Sequence, residues 1–294
     1  MRDPHGKIRW STKLTKEQRL TMTPFPCGRC LPCKLNKART WQHRIMLETK
    51  SHAFSIFVTL TYAEEYVPFN MQGDLILQKK DLQKFLKRLR RKYNAPIRYF
   101  AVGEYGDRTD RPHYHLCIFG MSIEDTPCIE SAWSKKHECI GNIHTGNVEK
   151  ESARYIAGYT IKKLTNKDDS RLYGRTPEFM LSSRRGGGIG SQEVRRIGKI
   201  LKENPHYDCE EISTQFTIGG KQFPLGQYLT QILRDTLEIK QETLDKRFQE
   251  FQQEIFLNHQ SHNDSYYDNL VQEENQFRLS LEKKQTINKK EKIL

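Results

Sequence analysis

Two histidines separated by one residue, His113 and His115, stand at the head of a run of strand formers, Pro112-His113-Tyr114-His115-Leu116-Cys117-Ile118-Phe119. Side chains alternate along an extended chain, so both imidazoles fall on one face and converge on one point, as a bound cation requires. Ile97 to Glu104 reads as a preceding strand, joined through the polar loop Tyr105 to Pro112. An antiparallel hairpin then sets Glu104 roughly opposite His113, where facing side chains lie about 5 Å apart. Two imidazoles and a carboxylate make a mixed nitrogen and oxygen set with open positions, suited to Mg2+ or Mn2+, with zinc as a further occupant. Downstream, Tyr155 and Tyr159 lie four residues apart in a helical stretch, 149–164, and share a face. Gly158 between them costs a helix about 1 kcal/mol relative to alanine, but it lets a ligand approach the backbone between the two rings. A tyrosine pair at this spacing is usually packing; beside a cation site on a basic chain it points to chemistry.

A second cluster is Cys27-Gly28-Arg29-Cys30-Leu31-Pro32-Cys33. Thiols two residues apart in knuckle-like turns can face one metal, and a structural zinc is the expected occupant; iron–sulfur ligation or unmetallated thiols use the same spacing. Cys128, Cys139, Cys209 or His43 is available as a fourth ligand. Seven cysteines, an odd number, fit a reducing compartment better than a disulfide framework.

The elements that must position these groups read off in order. Residues 1–26 form a polar, Thr/Pro-rich arm, and Lys34 to Glu48 a basic helix with Trp41 and Ile45 on one face. Ser55 to Tyr62, dense in β-branched and aromatic residues, is a central strand. Asp81 caps a helix with Leu82, Phe85, Leu86, Leu89 and Tyr93 on its buried face and Lys84, Lys87, Arg88, Arg91 and Lys92 opposite. A helix over 122–133 and a short strand over 142–148 follow, then the tyrosine helix. Residues 165–220 show weak signals, including a Ser182 to Gly190 loop whose backbone N–H groups are candidates for phosphate contact. From Pro224 the pattern is helical, and the seven-residue spacings of Leu237, Leu244 and Phe251 permit a partner helix. The tail from about His259 is polar.

The chain of 294 residues has 49 Lys+Arg against 36 Asp+Glu, a net charge of +13. The excess lies within residues 1–240, around the histidine strand, which implies a polyanionic partner such as nucleic acid. The amino terminus has no apolar signal core and no stretch is long enough to span a membrane, so a soluble intracellular protein is expected. There is no Gly-x-x-x-x-Gly-Lys-Ser/Thr loop, and no nucleoside triphosphate site is expected.

Three ordered stretches carry a resemblance: Phe57-Val58-Thr59-Leu60-Thr61-Tyr62, then Gly103-Glu104-Tyr105-Gly106 leading to Pro112-His113-Tyr114-His115, then Tyr155-x-x-x-Tyr159-x-x-Lys162. Together they resemble the motifs of HUH-type rolling-circle replication initiators. More narrowly, with the cysteine run and the Gly188-Ile189-Gly190 loop, they resemble the replication initiators of gokushovirus-type microviruses. The resemblance spans about residues 24–190. It implies an α+β fold with a ferredoxin-like antiparallel sheet, the histidine strand central, an N-terminal Cys-rich element and a mainly helical C-terminal extension. It also implies a metal-dependent single-stranded DNA endonuclease and strand transferase acting at a phage origin. In that chemistry Glu104, His113 and His115 hold the ion, and a tyrosine forms a 5′-phosphotyrosyl link, freeing a 3′-OH primer before the ends are rejoined. Lys162 would stabilise phosphate or phenolate charge. The expected setting is the bacterial host cytoplasm, with host helicase and polymerase as partners. The expected organisation is 1–50 arm, cysteine cluster and basic helix; 51–165 catalytic core; 166–220 basic, Gly-rich loop region; and 221–294 helical extension with a frayed tail. Two rivals use the same residues: a non-catalytic binder stacking bases on Tyr62, Tyr99, Tyr105 and Tyr114, and a phosphodiesterase in which the metal activates water.

Overall fold

A computed structural model describes residues 26–28, 30–106, 109–136, 138–162, 172–207, 213–218 and 220–260, with isolated positions beyond. In chain order these form helix α1 (Leu31–Lys50), strand β1 (Ser55–Leu60), helix α2 (Lys79–Lys92), strands β2 (Arg98–Tyr105) and β3 (Pro112–Phe119), and short helix α3 (Thr126–Ala132). Strand β4 (Ile143–Asn147), helix α4 (Lys150–Lys162), strand β5 (Phe179–Ser182) and helix α5 (Ser191–Glu203) follow. The hairpin β6 (Gln215–Ile218) and β7 (Lys221–Pro224) and helices α6 (Gly226–Leu237) and α7 (Gln241–Gln260) complete the order. Residues Leu35–Glu238 form one compact unit, and α7 lies outside it. The arm before Pro26, Cys209 and most of the tail fall outside the described residues.

The main sheet has the order β4-β1-β3-β2-β5, antiparallel throughout. Its first four strands have the 4-1-3-2 order of a ferredoxin-like sheet, with β3 central, as expected. In β1 burial alternates: Ile56, Val58 and Leu60 point to one side and Phe57 and Thr59 to the other. The first side packs against α2 and α3, joining Leu116 and Ile118 of β3 to Leu82, Phe85, Leu86 and Leu89 of α2 and to Trp133. Burying one such side chain is worth about 1.5–3 kcal/mol, so this layer is the main store of stability. The second side carries Phe100, Val102, Cys117 and Phe119 under Ile45 of α1 and Ala153, Ile156 and Tyr159 of α4. The sheet is therefore sandwiched, and the histidines lie on the α1/α4 side.

Four sequence expectations change. Asp81 does not cap α2; Gln78 holds that position, its N–H bonded to the Tyr114 hydroxyl, while Asp81 accepts a hydrogen bond from the Tyr62 hydroxyl at 3.0 Å. Residues 165–220 are more ordered than their composition suggests, since β5 extends the sheet and α5 packs on α6. The backbone N–H groups of the Ser182–Gly190 loop are engaged internally: Gly187 bonds the Arg184 carbonyl, Gly188 the Tyr228 hydroxyl at 2.6 Å, and Gly190 the Glu48 carboxylate at 2.6 Å. They are spoken for and do not offer a phosphate cradle. Finally, α6 ends at Glu238, in the left-handed region with φ 58°, before α7 begins, so the heptad from Leu237 does not run along one helix.

Candidate active site

The β2–β3 hairpin sets Glu104 directly opposite His113, and β3 pairs His115 with Thr59 of β1 on one side and Val102 of β2 on the other. Strand alternation then places Thr59, Glu104, His113 and His115 on a single face. His115 is nearly buried, with Nε2 2.9 Å from Glu104 Oε1 and Nδ1 2.9 Å from Thr59 Oγ1. Because a threonine hydroxyl both donates and accepts, Thr59 supports either neutral tautomer of His115. The His113 ring lies parallel to that of His115, centroids 6.4 Å apart. Its buried Nδ1 makes no hydrogen bond among the described residues, and burial lowers its pKa, which keeps the ring neutral. Gly106 is needed beside it: a Cβ there would sit 3.0 Å from His113 Cε1.

Helix α4 brings both tyrosines to this point. The Tyr159 ring stacks on His115 at 5.1 Å, and Tyr155 stands edge-on to His115 at 5.4 Å and to Tyr159 at 4.9 Å. Phe57 closes the back wall, stacked on His115 at 6.0 Å. The two phenols differ in access: Tyr155 is 40% exposed and Tyr159 6%. Burial, reinforced by the Glu104 charge and by hydrogen bonding with Tyr155 and Glu104, pushes the Tyr159 phenol well above its ordinary range. A Cβ on Gly158 would meet nothing within 4 Å, so the position beside the rings is open, as its place in the helix suggested. Lys162 is the last residue of α4, and its side chain lies outside the described part of the structure.

As a cation seat the donor set is chemically apt: a neutral His113 with an unused buried nitrogen, a His115 held from behind by a hydroxyl, and an adjacent carboxylate. In the conformation observed, Glu104 is bonded to His115, and the three residues are not drawn into a closed ligand cluster. Among the described residues the set whose ligand atoms all lie within 4.8 Å of one another is Cys27, Cys30 and Cys33. There the Cys27 and Cys33 sulfurs are 3.9 Å apart and the Cys30 N–H donates to Cys27 Sγ at 3.2 Å, just before α1. Three convergent thiols at a helix start suit zinc. Of the fourth-ligand candidates, His43 is committed elsewhere, with Nδ1 on the Pro224 carbonyl and its ring against Phe216 and Phe223. Cys139 contacts the Gly141 carbonyl through Sγ.

Sequence reasoning did not assign roles to Thr59 or to Glu48. The Glu48 carboxylate is fully buried and takes Arg98, His52 and the Gly190 N–H, while Arg98 also donates to the Arg185 and Gly187 carbonyls. This pair ties α1, β2 and the Gly-rich loop together behind the site. The neutral Thr59 could have been found from the alternation Phe57-x-Thr59 once the β1–β3 register was known, but a register between distant strands is not written in either strand alone. The rival binder loses most of its stacking platform, since Tyr62, Tyr105 and Tyr114 are buried in the other layer.

A five-stranded antiparallel sheet bearing a histidine pair, a facing glutamate and a two-tyrosine helix defines the class, and residues 55–164 match the family model for replication-associated protein ORF2 and its kin. The chain is a relative of the microvirus replication-associated proteins. It is 35% identical over 182 residues to replication-associated protein VP4 of Bdellovibrio phage phiMH2K, a match covering 54% of this chain and 54% of that protein. It is 33% identical over 224 residues to replication-associated protein ORF2 of Spiroplasma virus 4, covering 69% and 65%. The match to replication-associated protein ORF4 of Chlamydia phage 1 is 34% over 159 residues, covering 48% and 39%. The chain thus spans between about two fifths and two thirds of the length of these relatives. No solved structure matches it. Among the described residues no helix is long and apolar enough to cross a membrane.

Proposed function

We propose that the chain initiates phage DNA replication by cutting single-stranded DNA through a covalent tyrosine intermediate. The observation that carries this is the assembly of Tyr155 and Tyr159 around His115 at the Glu104/His113 end of the sheet. Tyr155, the exposed phenol, is the first nucleophile. Its oxygen attacks the scissile phosphorus, the P–O3′ bond breaks, and the phenol loses its proton as the departing oxygen leaves as a 3′-OH. A divalent cation held by Glu104, His113 and His115 would polarise the phosphate and neutralise developing charge. Thr59 orients His115, Phe57 and Tyr159 wall the pocket, and Glu104 hydrogen-bonds Tyr159. Tyr159, buried beneath Tyr155, is the second acceptor, available for strand transfer once the first phenol carries DNA. The Cys27, Cys30 and Cys33 cluster is a separate structural zinc site.

The test incubates the protein with labelled single-stranded origin DNA and Mn2+ or Mg2+. Wild type should yield a covalent protein–DNA adduct and a free 3′-OH; Tyr155→Phe should abolish the first adduct, and Tyr159→Phe should retain it while losing transfer to a second strand. Cutting by wild type without any adduct would overturn the proposal and favour activated water.

A further inference from the structure

On the other face of the sheet, between α2 and the two-residue hairpin Ser134–Lys135 with Glu138–Cys139, lies an open groove of about 630 Å³. Lys84, Arg88, Arg91 and Lys92 of α2 form one wall and Lys135 and Lys136 the other, with Asp81 the one acidic residue in the lining. None of these six cations is ion-paired among the described residues. Arg88 uses Nε on the Ala132 carbonyl and Lys92 bonds the Ser131 carbonyl, so both are held in place while their charge stays uncompensated. Positions 84, 88 and 91 form a stripe along α2 about 10 Å long at 1.5 Å per residue.

The opposite wall is built rigidly. Trp133 is fully buried and its Nε1 donates to the Thr61 carbonyl at 2.9 Å, the Ala63 N–H bonds the Ile140 carbonyl, and Gly141 lies so close to the Thr61 backbone that a Cβ there would collide with the Thr61 oxygen. At the tip Lys136 holds φ 50°, a left-handed conformation that is uncommon for a residue with a side chain. Tyr62 at the groove is three residues beyond Thr59, the partner of His115, so the groove opens at the same end of the sheet as the tyrosines.

From this two-walled arrangement of unpaired, braced cations we infer that the groove binds the phosphodiester backbone of a nucleic acid, independently of sequence and apart from the tyrosine site. It would hold DNA flanking the segment that is cut. The inference stands on the groove alone and does not require the cleavage chemistry.

The test compares wild type with Lys84→Gln/Arg91→Gln/Lys135→Gln/Lys136→Gln, four exposed positions, by fluorescence anisotropy across a salt series. The probes are a single strand of about 40 nucleotides, a duplex of the same length, and a single strand of about 8 nucleotides. Four lost phosphate contacts should flatten the slope of log K against log salt by about 3 for the single strand or about 4 for the duplex. Affinity for one long probe should fall at least about tenfold, with the 8-nucleotide probe unaffected. The long probe that loses affinity identifies the flank as single-stranded or duplex. Lys136→Gly relieves the left-handed backbone, so it should fold at least as well as wild type and still flatten the slope by about 1. An unchanged slope for both long probes, or an equal loss on neutralising Lys37, Lys199, Lys221 and Lys240 instead, overturns the inference.

Discussion

Replacing Glu48 by glutamine tests how the site is supported from behind. The wild-type carboxylate is fully buried and receives Arg98 Nε, His52 Nε2 at 3.3 Å and the Gly190 N–H at 2.6 Å. Glutamine preserves the shape but turns one acceptor into a donor, so at least one of those donors meets an N–H. It also leaves a mostly buried guanidinium without its counter-charge. Removing one partner of a buried pair usually costs about 3–5 kcal/mol. Arg98 keeps two carbonyl acceptors, those of Arg185 and Gly187, which places the expected loss at the low end, about 3 kcal/mol. Urea denaturation at pH 7 measures it. In the double variant Glu48→Gln/Arg98→Met the orphaned charge is gone, so the loss should be clearly smaller than the sum of the single losses. The pH dependence has a fixed sign. Burial alone would raise the Glu48 pKa, but the hydrogen bonds from His52, Gly190 and Arg98 and the Arg98 charge outweigh it and lower the value. A depressed carboxylate contributes fully above its unfolded pKa, near 4.5, and loses that contribution as pH falls through the folded value. Wild type and Glu48→Gln should therefore converge in stability in acid. A loss below about 1 kcal/mol at neutral pH, or strict additivity in the double variant, would refute the reasoning.

Three further outcomes follow from the geometry. Thr59→Val removes the hydroxyl behind His115 without changing side-chain size, and should weaken Mn2+ binding about 10–100-fold in a calorimetric titration while leaving the fold intact. Gly141→Ala drives a Cβ into the Thr61 backbone, which cannot move aside like a side-chain tip, and should lower stability by about 1–3 kcal/mol in urea denaturation. Zinc should co-purify at about one ion per chain and be lost from Cys27→Ser/Cys30→Ser, as read by elemental analysis, with the phosphotyrosine reaction retaining its dependence on Mn2+ or Mg2+.

The strands and helices nearest the chemistry were legible because their signals are local. Period-two alternation placed His113 with His115, the apolar positions 82, 85, 86 and 89 defined α2, and hairpin geometry set Glu104 against His113. What stayed hidden depends on pairings between distant segments. Thr59 meets His115 across 56 residues, Glu48 reaches Gly190 across 142, and β5, four residues long, is a strand only because β2 offers it an edge. The Gly-rich loop shows the same limit: its composition suggests available N–H groups, and tertiary partners on α1 and α6 had already taken them.

The unequal access of Tyr155 and Tyr159 bears on why two phenols share one helix face. Interchangeable nucleophiles would need equal exposure to one phosphate, whereas here one ring covers the other and the covered ring is bonded toward Glu104. Its phenol is also the harder to ionise, since burial and the neighbouring carboxylate both oppose phenolate formation. In the proposed cycle this ordering is useful. With Tyr159 sequestered the first cut is confined to Tyr155, and displacement of the Tyr155 ring by its bound phosphate is the event that would uncover Tyr159 for the transfer. The order of use is then set by packing on a single helix, with one cation seat serving both steps.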